Sequence, residues 1–285
     1  MAKVSVIGLG NMGLPMALSL RRGGHDVTGF DLSRVRMEEA SSENLRTVGS
    51  VKEASLEADF IVLSLPQARN VAAAVSEAGL KNLGGKRRVV IDTSTSEVET
   101  SRRIARELDD AGHGFLDAPV SGGTPAAAAG TLTMMIGGKK SDLELARPVL
   151  DALGKNIQYV GPSGAGNVAK LVNNLLVAAH MITTSEALKL SIAAGVPAEA
   201  ILPVLNAATG RSAVSELHVP KWILSETFNS GFTFGLMRKD VRLALELAKA
   251  VSSKLPLSEH VAALWRESED RFEDSVDFTR FAALH

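Results

Sequence analysis

Near the start of the chain, six residues have the spacing G-x-G-x-x-G; they are Gly8, Leu9, Gly10, Asn11, Met12 and Gly13. They follow a short apolar run that predicts a strand, and they open a helical pattern. In this context the first glycine permits a tight turn and the second lets the backbone approach a pyrophosphate. The third allows close packing of helix on strand. The six residues therefore predict a dinucleotide site.

Asp31 ends the second predicted strand, 18 residues after Gly13. A carboxylate about 20 residues after the glycines commonly accepts a hydrogen bond from a ribose 2′-hydroxyl. Because a carboxylate repels a 2′-phosphate, Asp31 favours NAD over NADP as the cofactor. Arg34 is close enough in sequence either to reach a phosphate or to lie in solvent, so NADP is kept as an alternative.

A second segment, Asp117–Gly123, ends in Ser121, Gly122 and Gly123. A serine there can be a plain turn residue or half of an anion site, and the residues alone leave both interpretations open. Glycine suits an anion site because no Cβ blocks the approach to its backbone. The serine does not match the nucleophile of a G-x-S-x-G hydrolase, because Pro119 occupies the position of the first glycine.

A third segment places Asn167, Lys170 and Asn174 at i, i+3 and i+7, a spacing that puts them on one face of a helix. Most lysines on helices are solvated. The surrounding helix, however, is unusually apolar for a surface helix, and the two amides could orient a ligand that carries a hydroxyl group. Both a functional and a solvated Lys170 are compatible with this spacing.

Up to about residue 163, short apolar runs alternate with helical patterns. The predicted strands are Val4–Leu9, Asp26–Phe30, Phe60–Leu65, Arg88–Ile91, Gly114–Leu116, Leu132–Ile136 and Ile157–Val160. This alternation predicts an α/β fold with a doubly wound parallel sheet. Two helix starts have capping-box spacing, Ser96 with Glu99 and Ser141 with Glu144.

After about residue 164 the strand signals end. The predicted helices are 165–194, 198–207, 238–252 and 257–267. We therefore expect two domains, a dinucleotide-binding domain over residues 1–163 and an all-helical domain over 164–285. The helix over 165–194 is apolar on all sides, and such a helix must be covered. We expect a second subunit to supply part of that cover.

The composition limits the classes of partner that the protein is expected to bind. The 31 basic and 32 acidic residues give a net charge of -1, which argues against binding to nucleic acid through phosphate neutralisation. No cysteine is present, and the six histidines are scattered without an H-E-x-x-H motif, so we expect no metal. The start of the chain lacks the pattern of a secretory signal, and no uninterrupted apolar run approaches about 18 residues. We expect a cytoplasmic protein with no membrane partner.

Four motifs in this order are typical of one family; they are Gly8–Gly13 with Pro15–Ala17, Asp117–Gly123 with Gly130–Leu132, Gly164–Asn174, and Phe232 with Leu236–Asp240. The chain resembles the β-hydroxyacid dehydrogenases, the group that includes 3-hydroxyisobutyrate dehydrogenase, over essentially its whole length. The resemblance implies a Rossmann domain and a helical domain, joined by a long helix. It also implies a homodimer or homotetramer that interconverts a β-hydroxy acid and its semialdehyde with NAD or NADP.

The resemblance assigns roles in substrate binding and catalysis. Ser121, Gly122 and Gly123 match the loop that binds the substrate carboxylate through a hydroxyl and backbone N–H groups. Lys170 matches the catalytic lysine, which donates a proton in reduction and accepts one in oxidation. An apolar setting and a cationic nicotinamide lower the pKa of such a lysine. Asn174 matches an asparagine that holds the substrate.

Further positions match cofactor contacts of the family. Leu65 and Pro66 match a loop near the dinucleotide, with Asn70 four residues after the proline. Thr95 matches a residue beside the nicotinamide ribose. Lys239 matches a lysine that reaches the cofactor from the helical domain; without the resemblance it would be interpreted as a surface lysine paired with its neighbour.

The sequence does not decide which substrate the protein binds. The candidates for setting substrate specificity are Phe232, Asn174, Ser121–Thr124 and Gly210–Ala213. Within the last range, Arg211 could bind a second acidic group of the substrate or have a structural role. A small 3-hydroxy acid such as 3-hydroxyisobutyrate is the first hypothesis. The alternatives within the family are reduction of glyoxylate, succinic semialdehyde or tartronate semialdehyde, and oxidation of threonate or serine.

Other proteins with the same scaffold differ from this chain in particular residues. The helical region is too short for a 6-phosphogluconate dehydrogenase. Imine reductases usually lack a lysine at the position of Lys170. The alternative from another class is a non-catalytic dinucleotide-binding module. Known modules of this kind have lost the lysine, whereas this chain retains Lys170, Asn174 and Ser121 together.

Overall fold

A computed structural model describes residues 1–80 and 86–284 of the chain. These residues form two compact units, Met1–Lys170 and Leu171–His285. The domain boundary predicted at residues 163–164 lies just before a helix that runs across the division between the units. That boundary stays a prediction.

The strands of the first unit form one sheet. They are β1 (Lys3–Ile7), β2 (Asp26–Phe30), β3 (Arg46–Thr47), β4 (Phe60–Leu63), β5 (Val89–Asp92), β6 (Gly114–Asp117), β7 (Val120–Ser121), β8 (Leu132–Gly138) and β9 (Gly154–Gly161). The predicted strands are all present; β2 has the predicted bounds, and the ends of the others shift by at most three residues. The sequence pattern missed β3 and β7 because two residues are too few to show an alternation.

The order of the strands is β3-β2-β1-β4-β5-β6-β8-β7, and β9 pairs with β8. The strands from β3 to β6 are parallel in the order of the Rossmann fold, which confirms the predicted doubly wound α/β sheet. One edge of the sheet is mixed, because β8 runs antiparallel to β6 and β7. The short connection from β7 to β8 suits an antiparallel pair, since parallel strands need longer crossovers.

The helices of this unit cover both faces of the sheet. They are α1 (Gly13–Arg22), α2 (Arg34–Ser42), α3 (Val51–Leu56), α4 (Ala68–Ala78), α5 (Val98–Asp110), α6 (Gly123–Ala129) and α7 (Lys140–Leu153). Successive residues of a strand point to opposite faces. Accordingly, Val62 joins the core under α1 and α7, whereas its neighbours Ile61 and Leu63 join the core under α3, α4 and α5.

The two predicted capping boxes are wrong. Helix α5 begins after Glu97, which makes no side-chain capping bond, and Ser141 lies inside α7. A capping box needs the backbone N–H of the serine for the partner glutamate. The N–H of Ser96 instead donates to the side chain of Asn167, at 3.0 Å. A contact with a distant part of the chain thus replaces the local one.

The long helix α8 (Ala165–Ala193) leads into the second unit, which is helical as predicted. The further helices are α9 (Ala198–Ala207), a π-helix (Val214–Ile223), α10 (Phe234–Ala250) and α11 (Pro256–Glu267), with 3-10 turns at Ser268–Asp270 and Phe278–Ala282. Aromatic rings fill the core between them. Phe234 stacks on Phe272 with ring centroids 4.5 Å apart, and Trp265 lies at the same distance from Phe281. The π-helix was missed because its hydrogen bonding does not give the 3.6-residue period.

Helix α8 is the one described helix that is long and apolar enough to cross a membrane by length and composition. Polar residues interrupt this helix, so it contains no uninterrupted apolar run of the length that the sequence pattern requires for a membrane span. The core helix of a soluble protein passes the same test. Several of its large apolar side chains are exposed; they are Val172, Leu176, Leu190 and Ile192.

Candidate active site

In the loop after β1, each of the three glycines is needed for a different structural reason. Gly8 has a φ of +92°, and a Cβ there would lie 2.3 Å from the carbonyl oxygen of Ser64. A Cβ on Gly13 would lie 1.7 Å from the carbonyl oxygen of Gly8. A Cβ on Gly10 would meet no described atom within 4 Å. The first and third glycines are therefore required by packing, and the second leaves the open face that a pyrophosphate needs.

Asp31 joins the end of β2 to this loop. Its Oδ2 accepts a hydrogen bond from the N–H of Leu9 at 2.7 Å, and its Oδ1 accepts one from the N–H of Ser33 at 2.8 Å. Each carboxylate oxygen has a further lone pair, so the group can still accept a bond from a ribose hydroxyl. Arg34 is exposed and paired with Glu38 at 2.9 Å, which fits the interpretation of Arg34 as a solvated residue.

The loops after β4 and β5 lie at the same edge of the sheet. The N–H of Leu65 donates to Oγ of Ser94 at 2.9 Å, which ties the two loops together. A Cβ on Gly8 would lie 3.0 Å from Cδ2 of Leu65, so the loop after β4 also borders the glycine-rich loop. Pro66 follows Leu65, and Thr95 is partly exposed directly after Ser94.

The strand order changes direction between β1 and β4, and ligands of open α/β sheets bind at the carboxyl ends of the strands at such a point. The structure brings the glycine-rich loop, Asp31, Leu65 and Thr95 to this edge. Asn70 lies partly exposed in the first turn of α4, where its N–H donates to the carbonyl oxygen of Gln67 at 2.9 Å.

The segment Ser121–Gly123 also lies beside the glycine-rich loop, because Oγ1 of Thr124 contacts Sδ of Met12 at 3.9 Å. Gly122 and Gly123 have φ of +125° and +67°, values that favour glycine. The hydroxyl of Ser121 is partly exposed and makes no hydrogen bond to any residue that the structure describes. The loop therefore presents a hydroxyl and a glycine backbone, the groups that can bind a carboxylate.

The start of α8 is fixed by Asp117, a fully buried residue at the end of β6. Its carboxylate accepts hydrogen bonds from the N–H of Gly164 at 2.7 Å and from the N–H of Asn167 at 3.0 Å. Burial raises the pKa of Asp117, and the bonds from these backbone N–H groups oppose that rise. A Cβ on Gly166 would lie 2.3 Å from the carbonyl oxygen of Met135, so only glycine lets the helix approach the sheet this closely.

The side chain of Asn167 bonds within the protein, which corrects the suggestion that it orients a ligand beside Lys170. Its side chain is fully buried. Oδ1 accepts from the N–H of Ser96, and Nδ2 donates to Oγ of Ser101, both at 3.0 Å. Both the oxygen and the nitrogen of the side-chain amide are thus used in hydrogen bonds within the protein. Asn167 therefore joins α8 to α5 and to the loop that carries Thr95.

Lys170 follows Asn167 by three residues, close to one turn of α8. It is only 7% exposed, so the interpretation of Lys170 as a solvated lysine is wrong. Lysines are almost never fully buried unless they are paired, and strongly buried ones often serve in chemistry. The burial agrees with the functional interpretation of Lys170.

In the helical unit, Asn174 is buried and its Nδ2 donates to Oδ2 of Asp240 at 2.6 Å. The other oxygen of Asp240 lies 3.2 Å from Nζ of Lys239. The side chain of Lys239 is 17% exposed, so the pairing with its neighbour is present but the description as a surface lysine is wrong. The role of Asp240 is not visible in the sequence, because 66 residues separate it from Asn174.

The remaining candidates for specificity also lie in the helical unit. Phe232 is partly exposed and packs edge-to-face on Phe278, with ring centroids 5.5 Å apart. Arg211 and Ala213 are exposed. Within the described part of the chain there is no cluster of three or more histidine, aspartate or glutamate residues that could hold a metal.

Two family models match the chain. The NAD-binding domain of 6-phosphogluconate dehydrogenase matches residues 3–161, and the NAD-binding domain of NADP-dependent 3-hydroxyisobutyrate dehydrogenase matches residues 164–285. An NAD-dependent L-serine dehydrogenase of Pseudomonas aeruginosa is 36% identical over 274 residues, which are 93% of this chain and 92% of that protein. The chain belongs to the β-hydroxyacid dehydrogenase family.

Two more members of this β-hydroxyacid dehydrogenase family are similar over nearly their whole lengths. A 2-(hydroxymethyl)glutarate dehydrogenase of Eubacterium barkeri is 35% identical over 257 residues, covering 90% of this chain and 85% of that protein. The solved structure of 3-hydroxyisobutyrate dehydrogenase from Mycobacterium tuberculosis with L-serine is 33% identical. It has a TM-score of 0.92 and covers 99% of this chain and 98% of that one.

The protein is therefore an oxidoreductase that acts on a CH–OH group with a nicotinamide dinucleotide. The glycine-rich loop fits such a group, because Gly10 leaves open the space beside a helix N-terminus. Asp31 fits it as well, since its carboxylate stands at the end of β2, where the ribose of a dinucleotide is held in this fold.

Proposed function

We propose that this enzyme oxidises the terminal hydroxyl of a small 3-hydroxy acid to the semialdehyde with NAD, and catalyses the reverse reduction, with Lys170 as the general acid and base. The observation that carries the proposal is the burial of Lys170 on a helix whose start is bound by Asp117. Asp117 lies four residues before Ser121, so one strand end positions both the lysine helix and the candidate carboxylate loop.

The names of the relatives suggest a shared chemical group. L-serine, 3-hydroxyisobutyrate and 2-(hydroxymethyl)glutarate each carry a CH₂OH group on the carbon next to a carboxylate. They differ only in the third substituent of that carbon. We therefore propose a 3-hydroxypropanoate unit as the substrate class, with 3-hydroxyisobutyrate as the first candidate and L-serine as the second.

In the proposed oxidation, the C–H bond of the CH₂OH carbon breaks; a dinucleotide held by the glycine-rich loop and Asp31 would supply the hydride acceptor. The neutral amine of Lys170 accepts the hydroxyl proton, and the C=O bond of the semialdehyde forms. In the reduction, the ammonium of Lys170 returns the proton to the carbonyl oxygen. Ser121 and the N–H groups of Gly122 and Gly123 hold the substrate carboxylate, and Asn174 lies one helical turn after the lysine.

The test compares wild type with Lys170→Met on a panel of 3-hydroxy acids, measured by NADH absorbance. We expect the variant to lose about 10²- to 10⁴-fold in turnover, the usual contribution of a general acid or base, while it still binds NADH. Lys170→Arg is the matched control, because it keeps the positive charge but cannot release a proton near neutral pH. It should be as inactive as Lys170→Met.

Two outcomes would change the assignment. Equal turnover by Lys170→Met and wild type would show that the mechanism is wrong. NADH binding without oxidation of any acid or reduction of any semialdehyde on the panel would favour the non-catalytic module.

We further propose that a second subunit covers part of α8. Leu176 and Leu190 are 53% and 73% exposed on this apolar helix, and a helix that is apolar on all sides must be covered. Light scattering at micromolar concentration should give the mass of a dimer or tetramer, and Leu176→Glu should shift it toward the monomer. A wild-type monomer under these conditions would contradict the proposal.

A further inference from the structure

Asn167 is a buried side chain that neither the proposed mechanism nor the fold of α8 by itself requires. It is fully buried in the first turn of the helix, three residues before Lys170. A buried amide costs free energy unless its polar atoms are paired. Here both its oxygen and its nitrogen are paired, with Ser96 and Ser101 at 3.0 Å each.

The loop after β5 is fastened on both sides of Thr95. On one side, Oγ of Ser94 accepts from the N–H of Leu65 at 2.9 Å. On the other side, the N–H of Ser96 donates to Oδ1 of Asn167. Thr95 lies between the two anchors. One of these anchors is thus the helix that carries Lys170.

The helix in turn cannot shift easily against the sheet. The carboxylate of Asp117 binds the N–H groups of Gly164 and Asn167, and the space at Gly166 admits no Cβ. The backbone of Asn167 is therefore held by the sheet, and its side chain holds the loop. This arrangement gives a fixed distance between Thr95 and the first turn of α8.

We propose that Asn167 is a positioning residue that sets the loop of Thr95 relative to Lys170. The inference rests on the proposed function, in which Lys170 moves the proton and Thr95 lies on the cofactor side. Catalysis by proximity requires the reacting groups to be held in a narrow range of positions, and an error of 1 Å can reduce the rate by about 100-fold. The contribution of Asn167 is thus to the rate of the chemical step.

The test uses three variants. Asn167→Ala removes both bonds, keeps a good helix former and leaves room for water, so we expect it to fold. Asn167→Asp keeps the acceptor for Ser96 and can accept from the hydroxyl of Ser101. Ser101→Ala is the matched control, because it removes only the bond to α5 and leaves the loop anchored. Should Asn167→Ala be insoluble, Asn167→Ser replaces it with the same expectations.

We expect Asn167→Ala to lower kcat by about 10- to 100-fold, with little change in the Kd for NADH. The kinetic isotope effect on kcat with substrate deuterated at the CH₂OH carbon should rise, because the chemical step becomes slower. Asn167→Asp should recover most of kcat, and Ser101→Ala should stay near wild type. A purely structural role would not change the isotope effect.

Hydrogen exchange gives a readout that needs no turnover. In Asn167→Ala the backbone amides of residues 94–97 should exchange faster than in wild type, and in Ser101→Ala they should not. Unchanged exchange in Asn167→Ala would overturn the proposal. Equal losses of kcat in Asn167→Ala and Ser101→Ala, with an unchanged isotope effect, would also overturn it. Failure of the proposed function would be seen separately, as full activity of Lys170→Met.

Discussion

Asn174 and Asp240 form a buried pair in the helical unit, with Nδ2 of the amide donating to Oδ2 of the carboxylate at 2.6 Å. The second oxygen of Asp240 faces Nζ of Lys239 at 3.2 Å. One carboxylate thus contacts two side chains to which the family resemblance assigns different ligands, the substrate for Asn174 and the cofactor for Lys239. The pair fixes which way the amide of Asn174 points.

Replacement of Asp240 should therefore impair the reaction without unfolding the chain. A hydrogen bond to a charged group contributes about 1.5–3 kcal/mol. We expect Asp240→Ala to lower kcat/KM by roughly 10- to 100-fold, and Asp240→Asn, which keeps an acceptor for Asn174, to lower it less. Asp274→Ala is the control, since Asp274 is exposed and paired with Arg238. Steady-state kinetics that place Asp240→Ala at the level of this control would contradict the assignment.

Gly10 and Gly13 should respond to alanine in opposite ways. A Cβ on Gly13 would overlap the carbonyl oxygen of Gly8, so Gly13→Ala should cost about 1–3 kcal/mol or more in the free energy of unfolding. The methyl group of Gly10→Ala meets no described atom within 4 Å, so the stability of this variant should stay within about 1 kcal/mol of wild type. The same Gly10→Ala should weaken NADH binding, because the methyl group fills the space for the pyrophosphate.

Urea unfolding and fluorescence titration with NADH measure these two effects. The interpretation would be wrong if Gly10→Ala bound NADH as tightly as wild type. It would also be wrong if Gly13→Ala were as stable as Gly10→Ala.

Asp31 should set the preference for NAD over NADP. Its carboxylate stands at the end of β2, and like charges that are brought together in a binding site cost several kcal/mol. We expect Asp31→Asn, which keeps an acceptor for the N–H of Leu9, to reduce the ratio of kcat/KM for NAD⁺ to that for NADP⁺ by about tenfold or more. Arg34→Ala should leave the ratio unchanged, because Arg34 is exposed and paired with Glu38. A large effect of Arg34→Ala would assign the preference to the arginine instead.

His218 should make the stability of the protein depend on pH near neutrality. Burial lowers the pKa of His218, although the carbonyl of Ala213 and the charge of Asp277 act in the opposite direction. The unfolded chain binds a proton at this histidine below about pH 6.5, and the folded chain does so only at lower pH. The contribution of His218 is therefore fully present above about pH 6.5 and is lost as the pH falls through this value toward the folded pKa.

The measurement is the urea midpoint as the pH is lowered from about 8 to about 5.5, from above to below the ordinary histidine pKa. Wild type should become less stable over this range, and His218→Gln should show a smaller decrease. The same decrease in both proteins would mean that other groups cause it.

Gly166→Ala should destabilise the protein even though it lies in a helix. Helix propensity alone favours alanine over glycine by about 1 kcal/mol. A Cβ at this position would lie 2.3 Å from the carbonyl oxygen of Met135 and 2.4 Å from that of Asp117, so the start of α8 would have to move. We expect a net loss of about 1–3 kcal/mol in the free energy of unfolding, together with a lower kcat. A more stable variant in urea unfolding would contradict the close approach of α8 to the sheet.

The sequence by itself determined the features that depend on short-range pattern. Short apolar runs between helical patterns identified β1, β2, β4, β5, β6, β8 and β9. A buried strand can be recognised from a run of about five apolar residues, so no distant part of the chain is needed. The spacing of Gly8, Gly10 and Gly13 identified the dinucleotide loop, since the turn and the start of the helix lie within six consecutive residues. The same local patterns also predicted that an α/β domain is followed by an all-helical domain.

Only the tertiary structure decided how distant residues use their polar groups. Ser96 has the spacing of a capping box, but its N–H binds Asn167, and no pattern in either segment indicates this. Asp117 holds the start of α8, and Asp240 holds Asn174, across 47 to 66 residues of chain. Hydrogen bonds of this kind depend on where the packed elements end in space. Their partners are therefore visible in the folded chain and not in the spacing of the sequence.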